Sequence, residues 1–134
     1  MKKYIFTNIF LGYISIAIYA QTWNLVGNKG FSGGLAQHIS IAVDSLGTPY
    51  IAFSAHLNSF AATVQKFNGT NWVNVGTAGF SGSTQVTFTR IAIAPDGVTP
   101  YIVYSDGENG YKATVRKYNG TQWEIVGNAL LSAG

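Results

Sequence analysis

The chain contains no cysteine, which excludes both a disulfide framework and any metal site built on thiolates. Charge is also scarce. Only 10% of residues are Asp, Glu, Lys or Arg, while 47% are hydrophobic. A disordered segment shows the opposite balance, because it lacks the apolar surface needed to offset chain entropy. Three prolines among 134 residues exclude collagen-like and polyproline character. Charge of one sign is missing once the first twenty residues are set aside. Lys29, Lys66, Arg90, Lys112, Arg116 and Lys117 then stand against Asp44, Asp96, Asp106, Glu108 and Glu124, six minus five, a net charge of +1. Arg116-Lys117 is the one basic pair among them, and phosphate backbones need a stripe of cations. Nucleic acid is therefore not an expected partner.

What the chain has in quantity is glycine (16 residues) and aromatics (14%), the mixture of short strands joined by tight turns. The first twenty residues are different. Met1-Lys2-Lys3 is a short positive segment, Ile5 to Tyr19 is mostly apolar, and Ile18-Tyr19-Ala20 ends on a small residue before Gln21. This is the layout of a cleavable secretory signal over residues 1–20. Thr7, Asn8, Gly12 and Ser15 interrupt the apolar run, which is short for a bilayer core of about 30 Å. The expected location is outside the cell or on its surface, with no membrane span after signal cleavage.

An internal repeat organises residues 21–134. Pro49 to Ser83 matches Pro100 to Gly134 at an offset of 51. Pro49-Tyr50-Ile51-Ala52-Phe53-Ser54 returns as Pro100-Tyr101-Ile102-Val103-Tyr104-Ser105, and Lys66-Phe67-Asn68-Gly69-Thr70-Asn71-Trp72 as Lys117-Tyr118-Asn119-Gly120-Thr121-Gln122-Trp123. Upstream, Trp23 to Gly27 and Gly30-Phe31-Ser32-Gly33 recur at Trp72 to Gly76 and Gly79 to Gly82. Each repeat reads as four strands. Ile39 to Val43 and Ile91 to Ala94 are first strands, Tyr50 to Ser54 and Tyr101 to Ser105 second strands. Thr63 to Phe67 and Thr114 to Tyr118 come third and end in Asn-Gly, which suits a two-residue type I′ turn. The fourth strands begin at Trp72 and Trp123.

Both alternating sets of Tyr50-Ile51-Ala52-Phe53 and of Tyr101-Ile102-Val103-Tyr104 are apolar or aromatic, whereas a sheet with one wet face alternates with polar residues. Short antiparallel strands, a period near fifty and sheets buried on both sides lead to an all-β expectation: β-propeller blades rather than a plain sandwich. The expected divisions are an orphan fourth strand at 23–27, one repeat over 39–76, a second over 89–127, and the start of a third over 128–134. That partition describes an incomplete propeller, a fragment whose exposed sheet faces favour association.

The repeat resembles those of secreted, propeller-like proteins of Bacteroidota-type bacteria, many attached to a C-terminal sorting domain. Its Asn-Gly-Thr-x-Trp hairpin is also similar, at a distance, to the sialidase Asp-box, with Asn68 and Asn119 where the box has Asp. Kelch repeats are similar in their Gly-Gly pair, matched here only at Gly33-Gly34. These resemblances imply a propeller surface that binds glycan or protein outside the cell, as lectin-type propellers do. The alternative they imply is the N-terminal part of a propeller-fold glycoside hydrolase or lyase.

Catalytic residues are not expected within this stretch. Arg90 and Arg116 are the only arginines, and Asp44 and Asp96 fall at turns, where carboxylates accept backbone N–H bonds. The ligand-binding candidates are the aromatics at repeated positions: Tyr50, Trp72, Tyr101, Tyr104 and Trp123. Core packing is the competing use for the tryptophans. No cofactor is expected. One oxygen-rich loop, Ser105 to Gly110, offers Asp106, Glu108 and Asn109 to a hard cation such as calcium.

Overall fold

The computed structural model describes residues 22–127. The expected export signal and the expected repeat start at 128–134 lie outside the described residues. Among the described residues eight strands form two separate four-stranded antiparallel sheets, an all-β architecture. The first sheet holds β1 (Ala36–Val43), β2 (Pro49–Ala55), β3 (Ala61–Phe67) and β4 (Trp72–Asn74) in sequential order. The second repeats that order with β5 (Val86–Ile93), β6 (Pro100–Asp106), β7 (Lys112–Tyr118) and β8 (Trp123–Ile125). Single-turn 3-10 segments at His56–Asn58 and Gly107–Asn109 join the second and third strands of each sheet.

First strands begin three to five residues before the alternating pattern suggests. β1 runs from Ala36 and β5 from Val86 because each contains a β-bulge. Gln37 pairs with Ser54 but Ser40 pairs with Ala52, and Thr87 to Arg90 repeats the slip. An extra residue switches which side chains face the core, so the period-2 signal breaks there. His38 (φ 52°) and Phe88 (φ 54°) absorb the bulge at matching positions.

The Asn-Gly hairpins differ from the type I′ expectation. Phe67 pairs with Trp72, leaving a four-residue loop, Asn68 to Asn71. Gly69 takes a positive φ of 97° and Asn68 does not. The reason is the Asn68 side chain, whose oxygen accepts from the N–H groups of Thr70 and Asn71 at 3.0 and 2.8 Å. Asn119 does the same for Thr121 and Gln122. A side-chain turn of this kind replaces the backbone turn that Asn-Gly otherwise favours.

Trp23 to Gly27, expected as an orphan strand, has no ladder partner among the described residues. It nonetheless repeats a contact. The Trp72 indole N–H donates to the Val26 carbonyl at 2.9 Å and the ring stacks on Phe31 at 4.5 Å. One repeat later, the Trp123 indole donates to the Val75 carbonyl at 2.7 Å and stacks on Phe80 at 4.7 Å. The Trp-x-x-Val-Gly and Gly-Phe-Ser-Gly motifs thus form a strap that leaves one sheet and locks onto the tryptophan of the next. Gly76 shows why glycine is needed in the strap. Its φ is +73°, and a Cβ there would stand 3.0 Å from the Tyr118 ring and 3.3 Å from the Trp123 ring.

The core lies between the sheets. Tyr50, Ala52, Ala62 and Val64 of the first sheet meet Val86, Ile91, Ile102, Tyr104 and Trp123 of the second. Burying side chains such as Ile102 and Val64 contributes about 1.5–3 kcal/mol each. The edge strands β1 and β5 also meet, where Ile91 N–H donates to Ser40 Oγ at 3.2 Å and the Thr89 hydroxyl donates to the His38 carbonyl. One pair of differences between the repeats is coordinated. The Arg116 guanidinium donates to the buried Tyr104 hydroxyl at 2.8 Å, and the first sheet has Phe53 and Gln65 at those two places. The phenol and its donor are present together or absent together.

Candidate functional site

Among the described residues, a groove of about 780 Å³ lies between the sheets, at the end where the β1–β2, β5–β6 and β7–β8 turns meet. Asp44 shapes the first of these turns. Its Oδ1 accepts from the N–H groups of Leu46 and Thr48 at 2.9 and 2.8 Å. Asp96 shapes the second, accepting from the N–H groups of Val98 and Thr99, both at 2.9 Å, and from the Thr99 hydroxyl. A backbone bond from Ser45 N–H to the Gly97 carbonyl at 3.0 Å ties the two turns together. The β7–β8 loop adds Asn119 and Gly120 to the wall.

Strand register supplies the remaining groups. Tyr50 pairs directly with Lys66, and Tyr101 with Lys117, so each sheet presents a tyrosine and a lysine side by side on one face. All four border the groove. Tyr50 and Lys66 belong to the face turned to the second sheet, whereas Tyr101 and Lys117 belong to the second sheet's far face and reach the groove at its rim. Tyr50 is mostly buried; its pKa is raised by burial and further by the Asp44 charge. Desolvation works to raise the Asp44 pKa, but N–H bonds from Thr48 and Leu46, the Thr48 side chain and the Lys66 charge outweigh it. The net result lies below the ordinary carboxylate range. Asp96 is lowered too, first by the Thr99 hydroxyl and then by the N–H groups of Thr99 and Val98.

These depressed values fix the sign of a pH effect. The unfolded chain holds the two protons more tightly, so the turns' contribution is complete above the ordinary carboxylate range. It is lost as pH falls through the depressed values. Thermal melting is expected to be level from neutral pH to about pH 5 and to decline below about pH 4. A midpoint that climbs on acidification contradicts this assignment.

Of the five aromatic candidates, Tyr50 and Tyr101 border the groove, Tyr50 from within the inter-sheet space and Tyr101 from the rim. Tyr104 and Trp123 are buried between the sheets, and Trp72 is half-buried under the Phe31 ring. Sequence reasoning missed Lys66, Lys117, Asp44, Asp96 and Asn119 as members of one site. The signal available was the recurrence of Lys at a fixed place opposite the repeated Tyr, which becomes legible only with the strand register.

Of the calcium candidates, Asp106 and Glu108 accept from protein donors, and Asn109 is one of those donors. Asp106 is buried; Oδ1 accepts from Glu108 N–H at 3.1 Å, and Oδ2 accepts from the Asn109 amide at 2.9 Å and the Thr114 hydroxyl at 3.1 Å. Glu108 Oε1 accepts from Ser83 N–H at 2.7 Å. Asp106 therefore caps the 3-10 turn that follows it, and Glu108 ties that turn to the preceding strap.

Comparison with known proteins adds no relative: no protein-family model matches the chain, and neither curated proteins nor solved structures give a match. Among the described residues no helix is long and apolar enough to cross a membrane.

Proposed function

We propose that the protein is a secreted β-propeller repeat module whose two sheets are successive blades, and that the groove between them binds a glycan. The observation that carries this reading is the groove's mixed lining: two tyrosines, two lysines, Asp96 and Asn119 around one opening. A polyhydroxyl ligand uses donors, acceptors and an aromatic face together, and binding pockets place a few polar groups within a largely apolar wall. The export signal read from residues 1–20 puts such a surface among extracellular sugars.

The protonation state of the carboxylates favours binding over glycoside hydrolysis. A hydrolase needs one carboxyl kept protonated near neutral pH as general acid, which requires a raised pKa. Asp44 and Asp96 are shifted the other way. Both are ionised acceptors at neutral pH, and both already hold backbone N–H groups.

A glycan array probed with the chain after removal of the expected signal tests this reading. Lys66→Ala and Lys117→Ala lie on partly exposed strand positions, and each is expected to weaken binding by about tenfold with little change in melting. An array with no binding, or variants that bind as the parent does, would sink the proposal.

A further inference from the structure

The internal repeat shows what each outer sheet face is shaped to meet. Ala52, Tyr50 and Val64 of the first sheet are buried against the second. Their counterparts one repeat later, Val103, Tyr101 and Val115, line a shallow depression of about 270 Å³ with Ala92, on the face turned away from the first sheet. Ala52 is 0% exposed and Val103 is 37% exposed. The opposite end of the molecule shows the reverse. Ile91 is 8% exposed against the first sheet, while its counterpart Ile41 is 62% exposed, and Val43, the counterpart of Ile93, is 57% exposed.

One end of the chain therefore presents the first half of an interface whose second half is presented at the other end. The internal sheet-to-sheet contact is that interface already formed. We infer that a second copy of this chain docks head to tail, its first sheet on the second sheet of the first copy, in the arrangement the two sheets adopt within one chain. Such a contact is heterologous: two different patches meet, and each added copy leaves one patch of each kind free.

The strap extends the parallel. Val126 N–H donates to the Val115 carbonyl at 2.9 Å, as Val75 N–H donates to the Val64 carbonyl at 2.9 Å. The Val126 carbonyl thus occupies the place from which Val75 receives the Trp123 indole. In the docked pair it receives the Trp72 indole of the second copy. Trp23 to Gly27 of that copy has the same motif and falls on the same place, and with no ladder among the described residues it is the segment that gives way. The two hydrogen bonds between β1 and β5 are not reproduced. Ile39 stands where Thr89 offers its hydroxyl, and Arg90 stands where Ser40 offers Oγ. Docking between copies is accordingly weaker than the internal contact and depends on concentration.

This inference rests on the packing of the repeats. Tyr101 borders both the glycan groove and the docking face, and the two readings are told apart by their readouts, binding on the array for one and mass by light scattering for the other. The test is light scattering behind size exclusion over a range of concentrations, on the chain after removal of the expected signal. The parent chain is expected to pass from monomer to dimer and longer species. Ile41→Lys blocks one patch and Val103→Lys the other, both at exposed positions, and each variant alone is expected to remain monomeric. Their equimolar mixture is expected to form a one-to-one dimer that grows no further, since each supplies the patch the other lacks. Val43→Lys and Ala92→Lys form a second pair should circular dichroism show either first variant misfolded. A parent chain monomeric at every concentration overturns the inference. So does a mixture no more associated than its components, or association that survives in both single variants.

Discussion

Trp123→Ala is expected to destabilise the protein by about 3–5 kcal/mol, measured as a shift of the denaturant midpoint followed by circular dichroism. Trp123 is 6% exposed, and its ring lies in the shared core against Phe80 and Tyr118. Its indole N–H also fixes the strap through the Val75 carbonyl. The substitution therefore opens a cavity between the sheets and frees the segment that joins them. Trp123→Phe keeps most of the ring and loses the N–H, and its expected cost is about 1 kcal/mol. Trp72→Ala should cost less than Trp123→Ala, because Trp72 is only half-buried, packing against Phe31 and Phe67 outside the core shared by the two sheets. Equal losses at Trp72 and Trp123 would contradict the placement of the core between the two sheets.

Asp106→Ala is expected to cost about 1–3 kcal/mol, since it leaves the buried Thr114 hydroxyl without its acceptor. The Thr114 hydroxyl and the Asn109 amide lose their carboxylate partner, and the 3-10 turn at Gly107–Asn109 loses its cap. The first sheet has Ala55 at this place and a hydroxyl network of its own, in which Thr63 Oγ1 accepts from Gly79 N–H at 3.1 Å. The loss should be the same in chelator and in millimolar calcium. A deficit that appears only with calcium present would mean that the carboxylate serves a metal instead of the turn.

Strand identity was legible from the sequence because the repeat aligned each strand with a second copy of itself. The apolar character of both alternating sets in Tyr50 to Phe53 and Tyr101 to Tyr104 led to an expectation of sheets covered on both faces. The core lies between the two sheets, and Ile41, Val43 and Val103 on the outward faces are exposed. The bulges at His38 and Phe88 were not legible, since a bulge breaks the alternation by which a strand is recognised. The Asn68 and Asn119 loops misled for a chemical reason. Asn-Gly serves both a two-residue hairpin and a longer loop closed by the Asn side chain, and the residues that follow decide between them. The tryptophans were visible as repeated aromatics, but their strap depends on carbonyls of Val26 and Val75, which no side-chain pattern reports. The groove was half legible. Tyr50 and Tyr101 stood out by repetition, whereas Lys66 and Lys117 joined them only through cross-strand pairing, and Asp44 and Asp96 through the meeting of two turns.

The most direct test of the groove as the binding site is two-dimensional NMR of the 15N-labelled chain, titrated with the strongest binder from the array. Amide signals of Thr99, Tyr101, Lys117, Asn119 and Gly120 are expected to move together and to saturate at one concentration. Movement confined to residues around Trp72, or no movement at saturating glycan, would contradict it.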